Sequence, residues 1–302
     1  MFYRLDNNCT LINREDISPD QLCVGIVSIE ELAKIQKEFG FDQQTIKECE
    51  NITVNKEELY ADYGFVTIHI LKHDGSGHTN GCFYYKNNLL LVVAIDPDFE
   101  TEFEAVLSHH EFIQFHLEKL IASFLEMFIK EDALMLHEME SKIAVIEDDV
   151  MQEKNIDFHR SVYELRKTLL HLKSEYEQLM DISQGLYEND NHIFKEEEVH
   201  HFKILGDRLN RLYNQSQLLR DYIVQVHEEY QAQVDITMNK TMQVFTVITA
   251  IFLPPTLIVG WYGMNFKYMY ELNWDYGYPA VIALCVLSVV GFMYYFKKKK
   301  LF

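Results

Sequence analysis

The sequence predicts an α+β cytosolic domain, then long coiled-coil helices, then two C-terminal transmembrane helices. Three observations predict this class. The N-terminal third mixes β-rich runs with a capped helix. The middle repeats apolar residues at heptad spacing. Two uncharged stretches, Thr241 to Phe266 and Tyr276 to Phe296, close the 302-residue chain.

Residues 1–112 read as an α/β domain. "ADYGFVTIHILKH" and "GCFYYKNNLLLVVAID" are rich in β-branched and aromatic residues, as paired strands are. Gly75 to Gly81 supplies the turn between them. "SIEELAKIQKEFG" is a helix with Ser28 as N-cap, Glu31 three residues on and Gly40 as its stop.

Residues 113–198 read as a helical hairpin region. Neither Gly nor Pro interrupts Glu111 to Asp157, and "EKLIASFLEMFIKEDALMLHEMESKIAVIEDDV" reads as helix. The next helix spaces Val162, Leu165, Leu169, Leu172, Tyr176, Leu179, Ser183 and Leu186 by threes and fours. "GLYENDNH" turns the chain back. A third helix repeats the period through Leu205, Leu209, Leu212, Ser216, Leu219, Ile223, Val226 and Tyr230. Alternating steps of three and four make a coiled-coil seam.

Residues 199–262 read as one stalk helix, roughly 90 Å long at 1.5 Å per residue. It enters a first membrane span at about residue 241. A rod of this kind either transmits movement into the bilayer or merely tethers the domain. Residues 263–276 form an extracytoplasmic loop. Residues 277–302 form the second span and a basic tail. Each uncharged run matches the ~30 Å hydrocarbon core. Two runs back to back, the second ending in "KKKKLF", favour membrane spans over buried soluble helices. Lys297 to Lys300 place both termini in the cytoplasm by the positive-inside rule. "MFYRLDNNCT" has no apolar core, so no cleavable signal peptide is expected.

Net charge is -20, which disfavours nucleic acid and favours cations. The five cysteines are scattered without a CxxC pattern, which fits a reducing compartment and no disulfide framework. His109-His110 and His200-His201 lack HExxH spacing, and adjacent histidines on a helix diverge, so solvated histidines are expected there. No nucleophile elbow or Gly-rich phosphate loop appears, so neither an enzyme nor an ATP-driven pump is expected.

Within the first span, Asn239, Met242, Thr246, Thr249, Leu253 and Thr256 share one helix face. Small and hydroxyl residues there serve either helix packing or a wet path. Two spans cannot enclose water, so the spans either anchor a coiled-coil scaffold or assemble in several copies. Pro254-Pro255 removes backbone donors and frees carbonyls for water, or merely kinks the helix. Gly263 permits a tight exit, and Asn265 offers an amide oxygen at the mouth. A ring of such amides could hold Mg²⁺ through the waters it sheds reluctantly. Glu271 and Asp275 would concentrate cations nearby.

These residues resemble the CorA family of divalent-cation channels. The resemblance rests on Gly263-Met264-Asn265 after the first of two C-terminal spans. It extends through "NKTMQVFTVITAIFLPPTLIVGWYGMNFKYMYELNWDYGYP" and the lysine tail, and weakly back through "VYELRKTLLHLKSEYEQL". It implies a funnel-shaped homopentamer in the inner (plasma) membrane, with the first span lining the pore. It also implies passive influx of hydrated Mg²⁺, with Co²⁺ and Ni²⁺ as further ions, and Mg²⁺ as both cargo and regulator without a resident cofactor. By position, Asn265 corresponds to the outer selectivity ring, and Asn239, Met242, Leu253 and Thr256 to pore-lining sites. Met242 and Leu253 would be apolar constrictions. Family regulation uses carboxylates between neighbouring cytosolic domains, and Asp207 is the candidate here. Met269-Tyr270-Glu271 stands where the family often has Met-Pro-Glu. One family branch carries Zn²⁺ and usually varies the middle residue of the triplet, so Met264 favours Mg²⁺.

Overall fold

The computed structural model describes residues 1–5, 9–72, 77–109, 116–154, 157–265, 269 and 274–299. It divides into two compact units: Met1–Asp149 with Asn155–Val226, and Val150–Lys154 with His227–Phe302. Gly75 and Ser76 of the expected turn, Glu271, Lys300 and His110 fall outside the described residues, as does the side chain of His109, while His78 to Gly81, expected in that turn, are strand.

The first unit holds one seven-stranded sheet. Its strands are β1 (Phe2–Leu5), β2 (Cys9–Ile12), β3 (Cys23–Val27), β4 (Lys56–Leu59), β5 (Gly64–Leu71), β6 (His78–Lys86) and β7 (Leu89–Ala94). They lie in the order β2-β1-β3-β7-β6-β5-β4. Among the described residues only β3 and β7 pair in parallel. A parallel pair needs a long crossover, and everything from Ser28 to Asn88 supplies it.

The stretch from Gly81 to Asp96 is not a single strand. It is the β6–β7 hairpin, with Lys86 paired to Leu89. Asn87 sits at the turn with φ 50, a conformation Asn tolerates better than most residues.

α1 (Ile29–Phe39) starts at Ser28 and stops at Gly40. Ser28 Oγ accepts from Glu31 N, and Glu31 Oε2 accepts from Ser28 N, both at 3.3 Å. Gly40 takes φ 77, which costs a residue without Cβ little. α2 is Gln43–Cys49. Alternate residues of β6 then face opposite sides. Cys82 and Tyr84 join Leu32 and Ile35 of α1, Phe41, and Ile46 and Cys49 of α2 in one buried cluster. On the other side Phe83 meets Phe124 edge-on, ring centroids 5.9 Å apart, and Tyr85 stacks on Phe194 at 4.8 Å. Phe99 and Phe103 of α3 (Pro97–His109) pack against Phe124 of α4 (Leu117–Phe128). Each such ring contributes about 1.5–3 kcal/mol by leaving water.

The segment after Phe115 is not one helix. α4 stops at Phe128 and α5 (Asp132–Met151) starts four residues later. No Gly or Pro marks the break. Ile129 and Asp132 are both buried there, and Asp132 N donates to Ile129 O at 3.3 Å. Tertiary burial sets this break, so local residue type does not announce it.

α6 (Phe158–Glu188) and α7 (His200–Tyr262) carry the heptad seam. Val162, Leu169, Leu172, Tyr176, Leu179, Ser183 and Leu186 are buried, as are Leu205, Leu209, Leu212, Ser216, Leu219, Ile223 and Val226. Leu165 is only half-buried. Asn189 ends α6 in the left-handed conformation, φ 50 and ψ 44. The polar seam position Ser183 donates to Phe202 O at 2.6 Å. A Cβ on Gly206 would lie 3.2 Å from Ser183 Oγ. A donor that finds its acceptor in only one register specifies that register.

The second unit contains the end of α7 and α8 (Gly277–Lys298). Both helices are long and apolar enough to cross a membrane. Only 6% of each apolar window is buried. Among the described residues of the two spans, Val247 and Phe296 are the buried apolar ones. Surface this bare in water is unfavourable at about 25 cal/mol per Å², so lipid or other copies must cover it.

Candidate functional site

α7 runs without interruption through Pro254 and Pro255. Asn239, Met242, Thr246, Thr249, Leu253 and Thr256 therefore stay on one face, and all six are exposed. Met242 and Leu253 are 60% and 61% exposed, although both are apolar. The two prolines lack N–H groups, so Ala250 and Ile251 carbonyls lose their helical donors.

The threonines show how this face is built. Thr246 donates its hydroxyl proton to Met242 O at 2.8 Å, Thr249 to Phe245 O at 2.8 Å, and Thr256 to Phe252 O at 2.7 Å. Each hydroxyl spends its one proton on the helix. What remains for solvent is oxygen lone pairs. A divalent cation turns its water oxygens inward and its water protons outward. The stripe is complementary to that outer shell.

The helix ends beside the glycine. Gly263 N donates to Val259 O at 2.8 Å, and Met264 N to Trp261 O at 3.3 Å. A Cβ on Gly263 would lie 2.9 Å from Val259 O, so this exit requires the close approach that glycine allows. Met264 and Asn265 follow, both exposed. Asp275 is exposed in the turn before α8, where Gly277 N donates to Trp274 O at 2.9 Å. Trp261, Trp274, Tyr276 and Tyr278 are all exposed around these ends. Amphipathic rings of this kind favour the membrane–water boundary.

Asp207 is exposed on α7 and belongs to no group of three potential metal ligands among the described residues. Such a group lies at the start of α7: Glu198, His200 and His201, whose ligand atoms fall within 4.8 Å of one another. The two histidines do not diverge, because their ring centroids are 4.1 Å apart. His200 is exposed, as expected, but His201 does not stand alone in solvent: its Nε2 is 3.4 Å from Glu198 Oε2, and His116 Nε2 is 3.4 Å from Glu198 Oε1. The run "EEEVHH" was the available signal; His116, remote in sequence, was not legible.

The fold has known counterparts. The family described as CorA-like Mg²⁺ transporter protein matches residues 24–298. The cobalt/magnesium transport protein CorA of Thermotoga maritima is 25% identical over 313 residues, spanning 99% of this chain and 88% of that protein. The magnesium transport protein CorA of Campylobacter jejuni strain NCTC 11168 is 31% identical over 205 residues, spanning 68% of this chain and 55% of that protein. The solved CorA magnesium transporter of Methanocaldococcus jannaschii shares the fold, with TM-score 0.82 and 22% identity over 98% of this chain and 97% of that one. The chain belongs to the CorA-like Mg²⁺ transporter family.

Proposed function

We propose that five copies of this chain surround a water-filled pore for passive influx of hydrated Mg²⁺, with Co²⁺ and Ni²⁺ as further cargo. The observation that carries this reading is the exposed stripe on α7, whose threonines keep their lone pairs free for a cation's waters. The names of the relatives, cobalt/magnesium and magnesium transport proteins, support the choice of ion.

Asn265 from each copy forms the outer ring, with Gly263 and Met264 setting its position. Neutral amides hold the hydrated ion without stripping it, so release stays fast. Asp275 and Glu271 raise the local cation concentration. Below the ring, Thr256, Thr249, Thr246 and Asn239 pass the hydrated ion along. Leu253 and Met242 interpose apolar rings that close by dewetting. A membrane potential contributes about 2.3 kcal/mol per charge per 100 mV, hence about 4.6 kcal/mol for a divalent ion. Entry needs no ATP. Internal Mg²⁺ bridging acidic cytosolic faces, with Asp207 as a candidate ligand, holds the stalk closed, and its loss opens the pore. Both termini face the cytoplasm.

Mg²⁺ uptake into proteoliposomes, read with an internal fluorescent indicator, tests the ring. Asn265→Ala should abolish saturable Mg²⁺ uptake while the oligomer stays intact. Unchanged uptake would remove the ring from the mechanism. A monomer in mild detergent would remove the pore.

A further inference from the structure

We propose that Glu198, His200 and His201 form a second cation site, with His116 as the residue that positions Glu198, built within one chain and selective for borderline first-row ions such as Co²⁺, Ni²⁺ or Zn²⁺. It depends on nothing in the pore reading.

The spacing suits a shared ion. His201 Nε2 stands 3.4 Å from Glu198 Oε2, and His116 Nε2 stands 3.4 Å from Glu198 Oε1. A direct charged hydrogen bond would draw such atoms to about 2.7–2.9 Å. Two ligands held 2.0–2.1 Å from a tetrahedral ion stand about 3.3 Å apart. His201 and Glu198 Oε2 thus stand as two ligands of one ion, while His116 stands against the other oxygen of Glu198 and orients the carboxylate.

His200 is oriented as a ligand. Its Nδ1 lies 2.9 Å from Glu197 O. A carbonyl oxygen can only accept, so Nδ1 carries the ring proton and Nε2 keeps its lone pair. A backbone carbonyl holding the far nitrogen is the usual way a ligating imidazole is fixed in tautomer and rotation. The His201 ring lies 4.1 Å from it, centroid to centroid.

The scaffold joins the ligands to their positioning residue. His116 is the N-cap residue of α4. Two residues on, the buried Glu118 accepts from Lys195 N at 2.7 Å. From Lys195 the chain enters α7 through tight turns: Glu198 N donates to Lys195 O at 2.9 Å, and His201 N to Glu198 O at 3.2 Å. The α4 N-terminus therefore brings His116 to Glu198 from backbone that is already tied to the entry of α7.

The donor set decides the ion. Imidazole nitrogens suit Zn²⁺, Co²⁺ and Ni²⁺, whereas Mg²⁺ requires oxygen ligands and retains its waters. The site should therefore discriminate against Mg²⁺ and accept the Co²⁺ and Ni²⁺ proposed as further cargo.

Titrating the purified full-length protein in detergent with Co²⁺, followed by visible absorption, tests this. The expected result is one Co²⁺ per chain with the intense band of low coordination, displaced by Zn²⁺ and indifferent to a large excess of Mg²⁺. His116→Ala and His201→Ala should each weaken Co²⁺ at least about tenfold. His200→Ala, at an exposed position, should do the same without disturbing the fold. Asn265→Ala should keep the band unchanged. The proposal is overturned if a folded His116→Ala/His201→Ala double variant binds Co²⁺ as tightly as the parent, if Mg²⁺ competes on equal terms, or if the band disappears with Asn265.

Discussion

Glu57→Gln should stabilise the protein at alkaline pH and leave it nearly unchanged at acid pH. Glu57 lies on β4, and its Oε1 accepts from Tyr85 Oη at 2.6 Å. Burial pushes its carboxyl up to about 7, Glu188 adds to the rise, and the Tyr85 bond opposes it. The ordinary value is 4.5. The folded chain therefore holds this proton more tightly than the unfolded chain does. Its penalty is absent below pH 4.5, grows between 4.5 and about 7, and is constant above. At about 1.36 kcal/mol per pH unit, the full penalty is on the order of 3 kcal/mol. Gln keeps an acceptor for Tyr85 and cannot ionise. Denaturant unfolding of both proteins at pH 4.5 and pH 8 gives the difference that matters. The gap should be ~0.5 kcal/mol or less at the lower pH and about 3 kcal/mol at the higher one. A gap that stays the same at both pH values would refute the buried-carboxyl account.

Other perturbations follow from the same contacts. Ser183→Val removes the donor to Phe202 O in the seam and should cost about 0.5–1.5 kcal/mol, read from thermal or denaturant unfolding. Gly64→Ala places a Cβ onto the Tyr85 ring and should cost about 1–3 kcal/mol by the same measurement. Leu253→Ser should raise Mg²⁺ leak into proteoliposomes at high internal Mg²⁺, because a wet ring no longer closes by dewetting. Thr249→Val keeps the shape but loses one outward acceptor, so saturable uptake should fall about 2- to 10-fold, the kinetic equivalent of one hydrogen bond.

Long-period features were legible in the residues. The capping box at Ser28 and Glu31, the seam through Leu169 to Leu186, and an α7 reaching Tyr262 follow from spacing alone. Short or fully buried elements were not. β3, "CVGIV", is buried at all five positions and shows no alternation, and β1 has only four residues. The α4–α5 break lacks Gly and Pro because burial of Ile129 and Asp132 sets it. The helix stripe could be read from its period. The direction in which each threonine spends its proton could not, since that depends on χ1 and on the carbonyl one turn back. The histidine cluster needed His116 brought beside Glu198 by the tertiary fold.

The committed threonine protons have a consequence for the sign of the ion. A hydrated chloride turns its water protons inward and shows oxygen to its surroundings. Against the threonine stretch of α7 those oxygens would find no donor, and an anion would lose part of its solvation on entering. If this stripe lines the proposed pore, its threonine stretch would disfavour anions by dipole direction, without a formal charge.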